Sequence, residues 1–178
     1  MDNNYGLTIV KDYPIKGVNF IDINGLLATP KYFTAVIEKF AETIKNALPA
    51  DKLANAAIIT PESRGFIFGA PVACKLGLPL LLIRKNGKIP NHPYIFRITN
   101  EYSTYDMEMD ADLLAAHDHF IYVDDILATG QTLGSVRKAV AKKGKKIEMA
   151  VHLTAVADLK NMRDENADLK GLPTKEIL

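Results

Sequence analysis

Three short stretches of this sequence gather polar side chains directly behind apolar runs. They are Thr60-Pro-Glu-Ser-Arg-Gly65, Arg84-Lys-Asn-Gly-Lys88 and Val123-Asp-Asp-Ile-Leu-Ala-Thr-Gly-Gln-Thr132. In the third, Gly130 can adopt backbone angles that other residues resist, so successive N–H groups can curl around an anion. Thr129 and Thr132 add hydroxyl donors, and a helix beginning there would point its positive end at the same spot. Ala128 to Thr132 therefore reads as a cradle for one terminal phosphate. Asp124 and Asp125 would repel that phosphate. They suit accepting hydrogen bonds from sugar hydroxyls, or holding a hydrated Mg²⁺. With Arg64, Arg84, Lys85 and Lys88 on neighbouring stretches, the matching ligand carries phosphates at both ends and hydroxyls between. The lysine of a Walker A loop is absent, which argues against a nucleotide triphosphatase.

Elements that could hold these stretches together alternate along the chain. From Pro30, the residues Phe33, Val36, Ile37, Phe40, Ala41, Ile44 and Leu48 recur at helical spacing, with Thr29 as N-cap. Ala56 to Thr60, Pro79 to Ile83, His119 to Val123 and Ile147 to Val156 read as buried strands. Helices at Phe66–Leu76, stopped by Gly77, and Thr132–Lys143, ended by Gly144, fall between them. Uniformly apolar strands separated by helices imply a parallel twisted α/β sheet covered on both faces, with ligands bound beyond the carboxyl ends of the strands. Arg97 to Asp110 breaks the rhythm. Met107 and Met109 alternate there with Asp106, Glu108 and Asp110, as in an antiparallel strand with one wet face. The opening residues to Lys11 read as irregular, and those after Val156 as a closing structural segment.

With 178 residues, 48% of them apolar and 24% charged, the chain has the size and composition of one domain with a full core. A net charge of +1 gives no global field toward nucleic acid or membrane, and the longest uncharged stretch, Gly65 to Cys74, is too short to span a bilayer. Neither partner is expected. The single cysteine, Cys74, reads as inert packing on an apolar helix face, and with no leader-like start the setting expected is cytoplasmic. His92, His117, His119 and His152 lack metal-ligand spacing. The run Lys142, Lys143, Lys145 and Lys146 complements a helix C-terminus.

Val123 to Thr132 resembles the phosphoribosyl-pyrophosphate signature of the type I phosphoribosyltransferases. Glu62-Ser-Arg-Gly-Phe66, Arg84-Lys-Asn-Gly-Lys-Ile-Pro90 and Glu101-Tyr102 resemble, in order and spacing, those of the adenine-using members of that family. Asp12 to Leu27 is similar to their base-covering segment. The likeness runs from about Asp12 to Val156. It implies a single domain over residues 1–178, with a base-covering hood at 1–29 and a flexible β flap at 86–110. Ala128, Thr129, Gly130, Gln131 and Thr132 would cradle the 5′-phosphate, with Asp124 and Asp125 facing the ribose hydroxyls. Arg64, Arg84, Lys85 and Lys88 would surround the pyrophosphate, and Mg²⁺ would arrive with it rather than on a protein site. Phe20, Ile21 and Ile126 would line the base, Phe20 by stacking, and Glu101 on the flap would be the catalytic residue near N7.

The reaction implied is transfer of ribose 5-phosphate to adenine, giving AMP and pyrophosphate in purine salvage, by a homodimer. Two features depart from the pattern. Ile21 stands where many members carry arginine, which keeps hypoxanthine, guanine and xanthine in view as bases, and Gln131 replaces a common glycine. A phosphoribosyl-pyrophosphate-sensing regulator is the other alternative, although neither a basic stripe nor an extra domain is present. His92, inside the flap, is a further candidate for touching pyrophosphate.

Overall fold

A computed structural model describes residues 4–14, 16–99 and 104–178. In chain order the elements are β1 (Thr8–Val10), β2 (Phe20–Asp22), α1 (Asn24–Leu27), α2 (Pro30–Ala47), α3 (Ala50–Ala54), β3 (Ala56–Pro61), α4 (Gly65–Leu76) and β4 (Leu80–Lys85). Then follow β5 (Pro93–Thr99), β6 (Thr104–Asp110), α5 (Ala111–Ala116), β7 (His119–Leu127), α6 (Gln131–Lys142), β8 (Lys146–Ala155), α7 (Lys160–Glu165) and β9 (Thr174–Glu176). Seven strands form one mixed sheet in the order β5-β6-β4-β3-β7-β8-β9, and β1 pairs with β2 separately. Strands β4, β3, β7, β8 and the edge strand β9 run parallel, while β6 lies antiparallel to both β4 and β5.

Apolar alternation along these strands feeds two cores. On one face Ile58, Ile121, Val123, Met149 and Val151 pack against Val36, Phe40 and Ile44 of α2 and Phe68 and Val72 of α4. Phe40 and Phe68 stack with ring centroids 5.7 Å apart. On the other face Ile59, Leu81, Phe120 and Tyr122 meet Leu133, Val136 and Val140 of α6 together with Met107 and Met109. Each fully buried large apolar side chain of this kind contributes roughly 1.5–3 kcal/mol. The two-sided apolar strands thus produce the covered sheet that the sequence implies.

Several expectations need correction. Within Arg97 to Asp110 the antiparallel strand is present as β6, but the wet face expected of Asp106, Glu108 and Asp110 is not. β5 and β6 pair antiparallel as part of the sheet, and Glu108 on β6 is 1% exposed. Its carboxylate accepts the backbone N–H groups of Lys88 and Ile89. Burial alone would raise its pKa, but donors from Gly87, Ile89 and Lys88 and the charge of Arg84 outweigh that and leave it lowered. Thr29 does hold the N-cap position of α2, yet its hydroxyl donates to the Gly25 carbonyl at 3.1 Å instead of capping. Residues 8–10 form a strand because β2 supplies a partner: Thr8 pairs with Asp22 and Val10 with Phe20. Cys74 is exposed. Beyond Val156 the chain adds α7 and then β9, which extends the sheet alongside β8.

Candidate functional site

The site follows from the topology. From β3 the chain passes to β4 on one side, while β7 lies on the other, so the crevice opens beyond the carboxyl ends of β3 and β7. A cleft of ≈ 520 Å³ occupies it. Its walls bring together Phe20, Ile21, Arg64, Asp124, Asp125, Ile126 and Ala128 through Thr132. A second cleft of ≈ 790 Å³ shares Arg64, Asp124, Asp125 and Thr132 and extends toward Glu62, Lys85 and Tyr105. One continuous groove therefore reaches from the anion loop past the acidic pair in two directions.

At the loop, Gly130 has φ +79° and immediately precedes α6, a left-handed position that favours glycine. The Gly134 N–H already donates to the Gly130 carbonyl at 2.8 Å, so α6 starts at once and aims its N-terminal end at the groove. The loop is braced from behind. Arg163 donates to the carbonyls of Ala128 and Val156, each at 2.7 Å, and to that of Leu127 at 3.3 Å. Leu169 and Asp168 crowd the space where Cβ atoms at Gly130 and Gly134 would sit.

The acidic pair lies inside β7, which runs four residues past Val123. Both carboxylates line the two clefts, and each is held by its own partner. Asp125, 6% exposed, makes an ion pair with the Arg64 guanidinium. Asp124 accepts the Tyr122 hydroxyl at 2.8 Å on one oxygen and the Asp125 N–H at 2.9 Å on the other. Burial, then the charge of Asp125, push the Asp124 pKa well up, while the Tyr122 hydrogen bond opposes the shift.

Arg64 joins the base side to the sugar side. Besides Asp125, it donates to the Ile21 carbonyl at 3.1 Å and lies 5.1 Å from the centre of the Phe20 ring. Phe20 also meets Tyr13 edge-on at 5.3 Å.

Among the other cations, Lys85 lines the second cleft. Arg84 turns to Glu62, 3.5 Å away, and to the Lys88 carbonyl at 3.4 Å, while the Lys88 backbone is engaged by Glu108. The four cations are thus not one cluster: Arg64 stands at the junction, Lys85 on the far wall, and Arg84 beside Glu62. His92 is paired on the surface with Asp112 at 2.9 Å, away from both clefts. Glu101 lies outside the described residues.

Sequence reasoning missed Tyr122, Arg163, and the lining residues Asp158, Leu159 and Met162. Only Tyr122 carried a signal, a phenol two residues before a carboxylate on an apolar strand.

A family model described as a phosphoribosyl transferase domain matches residues 22–172. The adenine phosphoribosyltransferase of Mycoplasma mobile is 38% identical over 163 residues, covering 92% of this chain and 91% of its own. Among solved structures, an adenine phosphoribosyltransferase from Thermoanaerobacter pseudethanolicus superposes with a TM-score of 0.83 at 31% identity, over 97% of this chain and 94% of that one. That of Saccharomyces cerevisiae, complexed with an imino-altritol 1,6-bisphosphate and adenine, gives 0.82 at 25% identity, with coverage of 97% and 94%.

Proposed function

This chain belongs to the phosphoribosyl transferase family, and from that premise we propose that it transfers ribose 5-phosphate from phosphoribosyl pyrophosphate to adenine, forming AMP and releasing pyrophosphate in purine salvage. The observation that carries the reading is the cleft of ≈ 520 Å³ whose walls join the Ala128–Thr132 loop, the acidic pair and Phe20. A ligand with a terminal phosphate, a sugar and a flat base fits that sequence of surfaces. The relative solved with a bisphosphate and adenine matches this fold throughout.

In the reaction, the bond from C1′ to the pyrophosphate oxygen breaks, the bond from C1′ to a ring nitrogen of adenine forms, and that nitrogen's proton is released with the pyrophosphate. Pyrophosphate leaves with the electron pair, so the ribose passes through an oxocarbenium-like state. The loop N–H groups, Thr129, Gln131 and Thr132 anchor the 5′-phosphate, while Ile126 lines the base. Asp124 and Asp125 accept hydrogen bonds from the ribose hydroxyls. Lys85, with Arg84 and Lys88 behind it, meets the leaving pyrophosphate. Phe20 stacks on the base beside Ile21. Glu101, on the flap between residues 86 and 110, acts at the base, and closure of that flap with the hood of residues 1–29 excludes water.

Among the described residues no group of three or more His, Cys, Asp or Glu is placed to hold a metal ion. A donor set of two carboxylates, one already paired with Arg64, suits an Mg²⁺ that arrives on the diphosphate and brings most of its oxygen ligands with it. Such an ion neutralises charge on the leaving group. No helix among the described residues is long and apolar enough to cross a membrane. A cytoplasmic homodimer completes the reading.

The test is pyrophosphate release with Mg²⁺ and phosphoribosyl pyrophosphate across adenine, hypoxanthine, guanine, xanthine and no base. Turnover with adenine alone is expected. Preference for another purine would assign the Ile21 position a different base, and silence across the panel would favour a sensor of phosphoribosyl pyrophosphate.

A further inference from the structure

Tyr122 occupies a core position, 2% exposed, in the cluster that includes Phe120 and Leu133. Phenylalanine would fill nearly the same volume there. A buried phenol adds a hydroxyl that must find a partner or cost stability, and this one finds Asp124 Oδ2 at 2.8 Å. Two residues apart on β7, the pair shares one side of the strand. Together with the Asp125 N–H on Oδ1, the phenol fixes both carboxylate oxygens of Asp124 in one orientation at the cleft wall. The neighbouring Asp125 is held differently, by Arg64.

We propose that Tyr122 is a positioning residue for phosphoribosyl pyrophosphate: its hydroxyl aims the Asp124 carboxylate at the ribose hydroxyls. This rests on the transferase reading above. The need for such a donor is local. Burial and the Asp125 charge favour protonated Asp124, a form that could no longer accept fully. Arg64, the nearby cation, is committed to Asp125. The other charged or titratable groups around the second cleft are Glu62, Lys85, Tyr105 and Asp106. His152 stands opposite Asp124 on β8.

The test is Tyr122→Phe in the full chain, alone and combined with Asp124→Asn. Tyr122→Phe is expected to raise KM for phosphoribosyl pyrophosphate roughly tenfold while KM for adenine stays within about twofold. The acid limb of the kcat/KM profile should move to higher pH, because the bond that lowers the Asp124 pKa is gone. In the Asp124→Asn background the same change should add little. An unchanged KM and acid limb would overturn the inference, as would equal losses for both substrates that follow a fall in Tm, or additive losses in the double variant. A wild type that turns over no base would remove the transferase reading by itself. The inference is then decided by the Tm rise on adding phosphoribosyl pyrophosphate, expected to be smaller for Tyr122→Phe than for wild type and fatal to the inference if equal.

Discussion

The two ends of the cleft are built to different standards. At the anion loop, Arg163 binds three carbonyls from the ends of β7 and β8 and from the loop itself. Arg137 donates to the carbonyls of Asp168 and Lys170, and Lys138 pairs with Asp168 at 2.7 Å. At the hood, β1 and β2 share three residue pairs, all of β1 is exposed, and Ile9 and Tyr13 are 65% and 53% exposed. The hood edge is tied down by the contacts of Arg64 with Ile21 and Phe20 and by a long bond of 3.5 Å from Asn19 to Asp158. A phosphate needs a preformed cradle, because its charge is best met by donors that do not reorganise. A flat base needs an entrance, and a lightly held edge provides one.

Arg64 is where the comparison can be broken, since it serves both ends. Replacing it with methionine leaves the buried Asp125 carboxylate without its cation and removes the hold on Phe20 and Ile21. We expect kcat/KM to fall roughly 100-fold or more for both substrates, the cost of an unpaired buried charge. Lysine should not rescue it, because a point charge cannot reach Asp125 and the Ile21 carbonyl together. Steady-state kinetics with each substrate varied decides this. A loss confined to one substrate would show that the two ends are not coupled through this residue.

A matched pair of variants sharpens the comparison at smaller scale. Arg163→Met loosens only the loop and should raise KM for phosphoribosyl pyrophosphate roughly tenfold with adenine unaffected. Phe20→Leu removes only the flat face and should raise KM for adenine roughly fivefold with phosphoribosyl pyrophosphate unaffected. Crossed patterns, with each variant damaging the other substrate, would refute the division of labour. Both sets of KM values come from one assay, which makes the contrast direct.

Most of the anion-loop end is legible in the sequence because its parts are local. Gly130, the two threonines and a helix start lie within a few residues, so spacing alone reports their geometry. The buried strands are equally plain, since a sheet covered on both faces leaves uninterrupted apolar runs. What escapes is whatever depends on a distant partner. Glu108 alternates with apolar neighbours just as a solvated residue would, and only the return of Lys88 and Ile89 past it turns it into a buried acceptor. The bracing by Arg163 joins residues 7 to 36 positions apart, with no periodic trace. That Asp124 and Asp125 lie inside a strand depends on β7 continuing through polar residues, and pairing with β8 as far as Leu127↔Ala155 is what extends it.

The smallest effect concerns His152, opposite Asp124 on β8 and 4% exposed. Burial, against the opposing charge of Glu176 and with a smaller push from Arg163, lowers its pKa to about 4. A histidine depressed below its unfolded value of about 6.5 is held neutral in the fold, so the unfolded chain takes up the proton first on acidification. Its contribution is complete above the unfolded pKa and is lost progressively as pH falls from there toward 4. Between pH 7.5 and 6 the cost is about 1 kcal/mol, a figure set by the unfolded pKa as long as the folded one stays well below 6. Urea unfolding of wild type and His152→Asn at those two pH values isolates the effect, since every other titrating group is common to both. Wild type should lose about 1 kcal/mol more than the variant; equal losses would show that His152 is free to charge. A His152 held neutral leaves Arg163 with no second cation beside it between those pH values, so acidification weakens the braced end only by favouring the unfolded chain.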